Sequence, residues 1–376
     1  MECYLDNSAT TKVCNSAVKE MMKMLTENYG NPASLHKKGD EAKAALDKAR
    51  KNVANALSCY PDEVYFTSGG TESNNIAVFG AAEALKRRGN KIVTTSIEHP
   101  SVAEPISRLE KQGFEVVRIP VGIDGKIKEE DIFREVNKNT VLISIMLVNN
   151  EVGSIQPIKA ARLAVKRAGC GALIHCDAVQ AFSKISICPD DLGVDLLTVS
   201  SHKVHGPKGV GALYVRKGVR LVSPIYGGGQ EEGIRSGTSP MPAIAGFGAA
   251  VAEFPDYEST IVRMSAMRDN FISNVVQIPG VVVNSPKDAL PFIINISVVG
   301  IPSEVMRNEL SSRGIYISSG SACSKGHRSR VLTAMELPNE RIDSALRITL
   351  SRYTTSDELN MLLKGIAYAR QNIRYS

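Results

Sequence analysis

Lys203 follows the apolar run Val194 to Val199 in the segment Ser200-Ser201-His202-Lys203, and Gly206-Pro207-Lys208-Gly209 comes next. A lysine at the end of a buried strand, flanked by small polar residues, is placed to condense with an aldehyde. Asp177, upstream, closes a second strand-like run, Ala172 to Cys176. An amine that forms an imine and a carboxylate that keeps a pyridine nitrogen protonated are the two groups pyridoxal phosphate requires. Either residue alone says little. In this order, each at a strand end, they point to that cofactor.

Other polar residues fall at similar places, and ligands of open α/β sheets collect outside the carboxyl ends of the strands. Thr67-Ser68-Gly69-Gly70-Thr71-Glu72 joins a strand to a helix, so Gly70 and Thr71 can offer backbone N–H groups and positive potential to a phosphate. No Gly-Lys-Ser/Thr follows, so this is not a Walker loop, and it can equally be a plain turn. His99, in Glu98-His99-Pro100, can stack on a pyridine ring and relay protons, or cap the following helix. Asn150 and Gln180 can hydrogen-bond a ring oxygen or satisfy turn backbones. Ser200 and His202 can hold phosphate beside Lys203, whereas Lys208 reads as a surface charge.

Positioning these residues requires alternating strands and helices, and the chain supplies them from about residue 45 to 215. Strand-like runs occur at 63–67, 91–95, 114–119, 141–148, 172–176, 196–199 and 210–215, with helical patterns at 71–87, 101–112 and 157–167. Pro157 suits the first turn of the last helix. This alternation predicts an α/β domain with a mostly parallel sheet covered on both faces. Beyond about residue 254 the pattern changes to a helix near 259–278, a strand at 292–298, a helix near 303–313 and a Ser/Gly-rich loop from Ser318 to Ser329. We expect a large domain spanning 16–257. A smaller α+β domain would combine 1–15 with 258–376.

Composition excludes several classes. The 376 residues are 43% hydrophobic and 22% charged, as in ordinary globular proteins. A net charge of +6 without a Lys/Arg run fits an anionic ligand and gives no footprint for nucleic acid. Lys86-Arg87-Arg88 reads as the solvated end of a helix. Met1 to Asp6 carries no basic-then-apolar leader, and Val141 to Val148 is too short for a membrane helix. A soluble, cytoplasmic protein is expected. Seven cysteines at irregular spacing fit a reducing compartment. His175, Cys176 and Cys170 lack paired metal-ligand spacing, so we expect buried thiols and no metal.

Together these segments resemble fold-type I pyridoxal-phosphate enzymes of the class V aminotransferase group, and more closely cysteine desulfurases of the NifS/IscS type. The resemblance runs nearly end to end. It is carried by Tyr4-Leu5-Asp6-Asn7-Ser8-Ala9-Thr10-Thr11, Tyr29-Gly30-Asn31-Pro32-Ala33-Ser34 and Ser68-Gly69-Gly70-Thr71-Glu72-Ser73-Asn74-Asn75. Ser201-His202-Lys203, Arg235-Ser236-Gly237-Thr238 and Ser318-Ser319-Gly320-Ser321-Ala322-Cys323 complete it. It implies that Lys203 is the Schiff-base lysine, Asp177 the pyridinium partner and His99 the stacking residue. Thr71, Ser200 and His202 would contact phosphate, and Asn150 and Gln180 would flank the ring hydroxyl. A homodimer is implied, with Thr238 reaching the phosphate of the neighbouring subunit.

Cys323 narrows the reaction. Its segment, Ser318 to His327, holds two glycines, several hydroxyls and basic neighbours that favour the thiolate. A lone loop cysteine is more often inert, but the resemblance makes this one the nucleophile toward L-cysteine sulfur. Alanine would be the product, and a persulfide on Cys323 would pass to an acceptor such as an iron–sulfur scaffold or a tRNA thiolase. Arg347, between apolar neighbours in Leu346-Arg347-Ile348, matches the family's carboxylate-binding arginine, though a strand arginine can equally be a structural ion pair. Arg352 competes for the assignment. The stretch Ser324 to Arg330 is shorter than in familiar IscS-type members, which bears on the acceptor. Selenocysteine lyase or another class V aminotransferase is the alternative activity.

Overall fold

The computed structural model describes residues 2–254, 256–319 and 328–373. The chain opens on a two-residue strand, β1 (Cys3–Tyr4). Seven strands then form the large sheet: β2 (Val64–Thr67), β3 (Lys91–Thr95), β4 (Glu115–Ile119), β5 (Thr140–Met146), β6 (Leu173–Asp177), β7 (Leu196–Ser200) and β8 (Gly211–Val215). Their order across the sheet is β2-β8-β7-β6-β5-β3-β4. The run from β7 to β4 is parallel, while β8 pairs antiparallel with β7 and with β2. The sheet is thus mostly parallel, as the alternation predicts. Every residue of β5 is buried, which is why it reads as an unbroken apolar run: helices cover both faces.

Chain order reverses between β3 and β5, neighbours in the sheet although β4 intervenes in sequence. Such a switch point leaves a crevice at the strands' carboxyl ends. His99 follows β3, Asn150 follows β5, Asp177 ends β6, and Lys203 lies in the single turn Ser201–Lys203 after β7.

A four-stranded antiparallel sheet, order β12-β13-β10-β9, lies in the C-terminal part. It comprises β9 (Val281–Val283), β10 (Ile293–Val298), β12 (Ser318–Ser319) and β13 (Ala345–Thr349), while β11 (Ile315–Tyr316) pairs in parallel with β1. Arg347 on β13 is opposite Asn295 of β10 and Ser318 of β12. The N-terminal segment ties the two sheets together. Thr349 N donates to Leu5 O at 2.7 Å, and Thr11 N donates to His202 O at 2.9 Å. One apolar cluster runs through both regions, from Phe66, Phe182 and Phe247 to Leu346 and Ile366.

Some sequence expectations need correction. Pro157 lies outside its helix, which spans Lys159–Ala168, because Ile158 is the N-cap. Val148 leaves β5 to form an isolated antiparallel bridge with Ile155, reversing the chain at Asn149–Gly153. Ser318 and Ser319 are strand rather than loop, and Ser329 caps the helix Arg330–Ala334. Helices Asn15–Thr26, Lys37–Ala56, Met241–Ala252 and Ser356–Asn372 were not foreseen. Met241–Ala252 is apolar nearly all round and packs against the first two of these. Its Gly248 lies so close to Ala49 that an added Cβ would stand 2.5 Å from the Ala49 Cα. Among the described residues no helix is long and apolar enough to cross a membrane.

Candidate active site

A cavity of about 490 Å³ opens at the switch point, lined by Asp177, Lys203, His99, Asn150, Gln180, Gly70, Thr71, Ser200, His202 and Arg347. Residues from four strand ends, one helix N-terminus and β13 of the smaller sheet thus meet around one space. A shallower hollow of about 390 Å³ shares Gly70, Thr71, Ser200 and His202 with it and adds Ser68, Gly69 and Lys208. Thr238 lines neither and is exposed. Cys323 lies outside the described residues.

Asp177 is buried, and its carboxylate is aimed by two donors. Val179 N reaches Oδ1 at 3.0 Å, and Asn74 Nδ2 reaches Oδ2 at 2.8 Å. The same amide donates to Ser101 Oγ at 2.8 Å, which pairs with His99 Nδ1 at 2.7 Å. His99 is also the N-cap of Pro100–Glu110, accepting from Ser101 N at 3.2 Å, so it caps the helix while lining the cavity. Because Nδ1 accepts there, the ring's proton belongs on Nε2. Burial lowers the imidazole's pKa, helped by the charges of Lys203, Arg330 and Arg347 and opposed by Asp177. His99 is therefore neutral at physiological pH.

Lys203 Nζ donates to Ser8 O at 2.5 Å and Ala9 O at 2.8 Å, so the N-terminal segment forms part of the wall. Gln180 Nε2 donates to the same Ser8 O at 3.2 Å. His202 is pushed down to about 4, first by burial and then by Lys203. A neutral ring with an N–H remains a hydrogen-bond donor for an anion. The helix Gly70–Leu85 begins here, and an added Cβ at Gly70 would stand 3.0 Å from Val179 Cγ2. A glycine keeps that helix end close to the cavity.

Arg347 Nη2 pairs with Asp6 Oδ1 at 3.0 Å, and Nη1 donates to Asn150 O at 3.3 Å, while the buried Nε has no partner. The structural ion pair exists, yet the guanidinium also lines the cavity. Burial raises the Asp6 pKa more than the Arg347 charge lowers it. Arg352 lies elsewhere, donating to Glu253 O at 2.9 Å and stacking on Phe254 and Tyr353. His175 is spent on Ser144 Oγ at 2.8 Å and Thr198 Oγ1 at 3.1 Å, and Cys176 is fully buried.

The donor set fits pyridoxal phosphate. A carboxylate held by two N–H donors, an amine, amide groups and a helix N-terminus flanked by Ser200 and His202 share one cavity, and Asn74 Oδ1 beside it is buried without a partner. Sequence reading missed Asn74, Ser101, Asp6, Ser8, Lys184 and Glu98 as participants. Asn74 had a usable signal: it lies four residues after Gly70, on the same helix face. Buried Glu98 accepts from Thr95 Oγ1 at 2.8 Å and Met146 N at 2.9 Å, and burial raises its pKa to about 8.

This architecture has close relatives. Residues 3–362 match the family Aminotransferase class-V. The chain is 41% identical over 378 residues to cysteine desulfurase IscS of Dictyoglomus turgidum, covering 99% of this chain and 95% of that protein. A solved NifS-like protein superposes with a TM-score of 0.94 at 38% identity, covering 99% of this chain and all of that one. A structure described as SspA in complex with cysteine gives 0.83 at 34% identity, covering 94% of this chain and 100% of that one. The chain belongs to the class-V aminotransferases and, within them, to the NifS/IscS-type cysteine desulfurase family.

Proposed function

We propose that the protein is a pyridoxal-phosphate-dependent cysteine desulfurase, converting L-cysteine to L-alanine and leaving the sulfur as a persulfide on Cys323. The observation that carries this reading is the convergence of Lys203, Asp177, His99 and Arg347 on one cavity. When bound, pyridoxal phosphate supplies an aldehyde for amines and a ring that accepts electron pairs. Lys203 would anchor it, Asp177 would hold its ring nitrogen protonated, and Asn150 and Gln180 would flank its ring hydroxyl. Gly70, Thr71, Ser200 and His202 would receive its phosphate.

Arg347 would take the carboxylate of the substrate through its planar fork, with Asp6 competing for the same Nη2. Lys203 and His99 would move protons, His99 through Nε2 because Nδ1 is engaged by Ser101. The Cys323 thiolate would attack the substrate sulfur. The S–S bond forms as the C–S bond breaks, the carbon side keeps the bonding pair, and proton uptake completes alanine.

The reading extends to organisation. Residues 16–257 would act as the cofactor domain, with 1–15 and 258–376 as the smaller one. Exposed Thr238 suits a second copy whose phosphate it completes. The sulfur would pass to an iron–sulfur scaffold or a tRNA thiolase, in the cytoplasm. Incubating the holoprotein with L-cysteine and an excess of a thiol reductant, which reduces the Cys323 persulfide to sulfide and regenerates the thiol, and assaying alanine and sulfide tests the activity. Equal amounts of both support it. Turnover only with selenocysteine, or amino transfer to a 2-oxo acid without sulfide, would replace it by the alternative activities.

A further inference from the structure

Lys184 lies four residues after Gln180, in the turn that follows β6, and is only 6% exposed. Its ammonium donates to Gln180 O at 2.9 Å and to Gln180 Oε1 at 3.3 Å. Among the described residues, both of its acceptors belong to that one residue. Burial, and then the charge of Lys203, pushes its pKa down to about 7. A buried cation supported only by neutral oxygens costs stability. An apolar side chain would serve packing better.

What the lysine achieves follows from donor and acceptor chemistry. The ammonium, the form Lys184 takes below its pKa of about 7, has three N–H donors and no acceptor, so it can face only the oxygen end of an amide. With Oε1 held by Lys184, the Gln180 amide must turn Nε2 the other way. There it donates to Ser8 O at 3.2 Å, on the cavity wall. A donor-only group at one end and a carbonyl at the other both specify the same orientation. The carbonyl of Ser8 also accepts from Lys203 Nζ, so Lys184 connects with Lys203 through Gln180 and Ser8.

We propose that Lys184 is a positioning residue for the cofactor: it locks the Gln180 amide so that an N–H, rather than an oxygen, faces the anionic ring oxygen of pyridoxal phosphate. The inference rests on the cofactor reading above and adds a residue to it. Without Lys184 only the Ser8 carbonyl, which Lys203 also occupies, holds the amide in that orientation, and a flip opposes the ring oxygen with another oxygen.

The test titrates pyridoxal 5'-phosphate into apoprotein, followed by the absorbance of the bound cofactor, for the wild type, Lys184→Met, Gln180→Leu and the double variant. Losing one hydrogen bond to a charged acceptor predicts a roughly tenfold higher Kd for each single variant. Since Lys184 acts through Gln180, the double variant stays within about threefold of either single one. Thermal unfolding separates this from a structural role, because Lys184→Met apoprotein should melt at or above the wild-type temperature. Wild-type affinity in Lys184→Met, losses that multiply toward about a hundredfold in the double variant, or a lower apoprotein melting temperature would each overturn the proposal. Gln180→Glu covers the case in which Lys184→Met does not fold. It keeps an acceptor for Lys184 but offers the cavity an oxygen, so it must weaken binding by at least about tenfold, and wild-type binding rejects the idea. A wild type that gives no cofactor absorbance at all overturns the pyridoxal-phosphate reading itself, a different outcome.

Discussion

Replacing Asn74 by leucine tests the hydrogen-bond relay beneath the site. In the native chain one buried amide donates to Asp177 Oδ2 and to Ser101 Oγ, both at 2.8 Å. A hydrogen bond to a charged acceptor contributes about 1.5–3 kcal/mol and one between neutral groups about 0.5–1.5 kcal/mol. Removing both therefore costs roughly 2–4.5 kcal/mol. Two gains offset this. The unpartnered Asn74 Oδ1 disappears, which recovers about 1–3 kcal/mol, and leucine suits the interior of the Gly70–Leu85 helix better by about 0.5 kcal/mol. The net loss is about 0.5–1 kcal/mol, the Asp177 carboxylate being left with Val179 N alone. Asn74→Asp should be worse, since it sets a second carboxylate against Asp177 and one of the two must take a proton. Urea unfolding of the apoproteins measures the stability order, wild type above Asn74→Leu above Asn74→Asp. Pyridoxal-phosphate titration measures the consequence for the site, a Kd about tenfold higher for Asn74→Leu. If both variants unfold with the wild type and bind cofactor equally well, the amide does not hold Asp177 and the reasoning fails.

Lys203→Ala should fold normally yet lose the absorbance of protein-bound imine and all measurable alanine production; retention of both rejects the Schiff-base assignment. Cys323→Ser should keep the absorbance change on adding cysteine while alanine production falls by orders of magnitude, since a hydroxyl is a poor nucleophile toward sulfur. Mass spectrometry after one wild-type turnover should find the extra sulfur on Cys323, and a first persulfide on Cys176 or Cys188 would refute this. Arg347→Lys should raise the KM for cysteine by roughly 10- to 100-fold with a smaller effect on kcat, because the planar fork is lost; an unchanged KM would return Arg347 to a purely structural ion pair with Asp6. Stability should also depend on Glu98. Its pKa rises from an ordinary 4.5 to about 8 on folding, so its contribution is fully present below pH 4.5 and is lost as pH climbs toward 8. Glu98→Gln removes that loss, and relative to the wild type it should gain up to about 3 kcal/mol between pH 5 and pH 8 in urea unfolding; parallel pH curves would show that Glu98 does not titrate there.

Much of the large sheet was legible, for a local reason. Strands buried on both faces must be continuous apolar runs, and helices between them must show turn signals at their ends, so the inner strands are legible. The half-exposed edge strand β4 is read from its β-branched residues, and all seven fall within a few residues of their expected places. The helix Met241–Ala252 was hidden because apolar residues all round leave no period to read. Helix Lys37–Ala56 was hidden for the opposite reason: its polar and small residues mask the narrow stripe formed by Ala42, Ala49 and Val53. Lys203, Asp177, His99 and Asn150 could be singled out because each lies at or just past the end of a strand. Arg347 stayed ambiguous, since only a partner could show whether it was a structural pair, and that partner is 341 residues away at Asp6.

By itself, the sequence determined the alternation of strand and helix, the chemistry available at each strand end and the family motifs around Lys203 and Cys323. These are properties of short segments, set by side-chain type and spacing. Only the tertiary structure decided which polar groups hold the others in place. Asn74 reaches Asp177 across 103 residues, and Gln180 reaches Ser8 across 172. The N-terminal segment becomes a cavity wall because β1 pairs with β11 and Thr11 bonds His202. The physical reason is the same in each case. A buried polar atom must find a partner, and which partner it finds depends on how the chain packs, not on its neighbours in sequence.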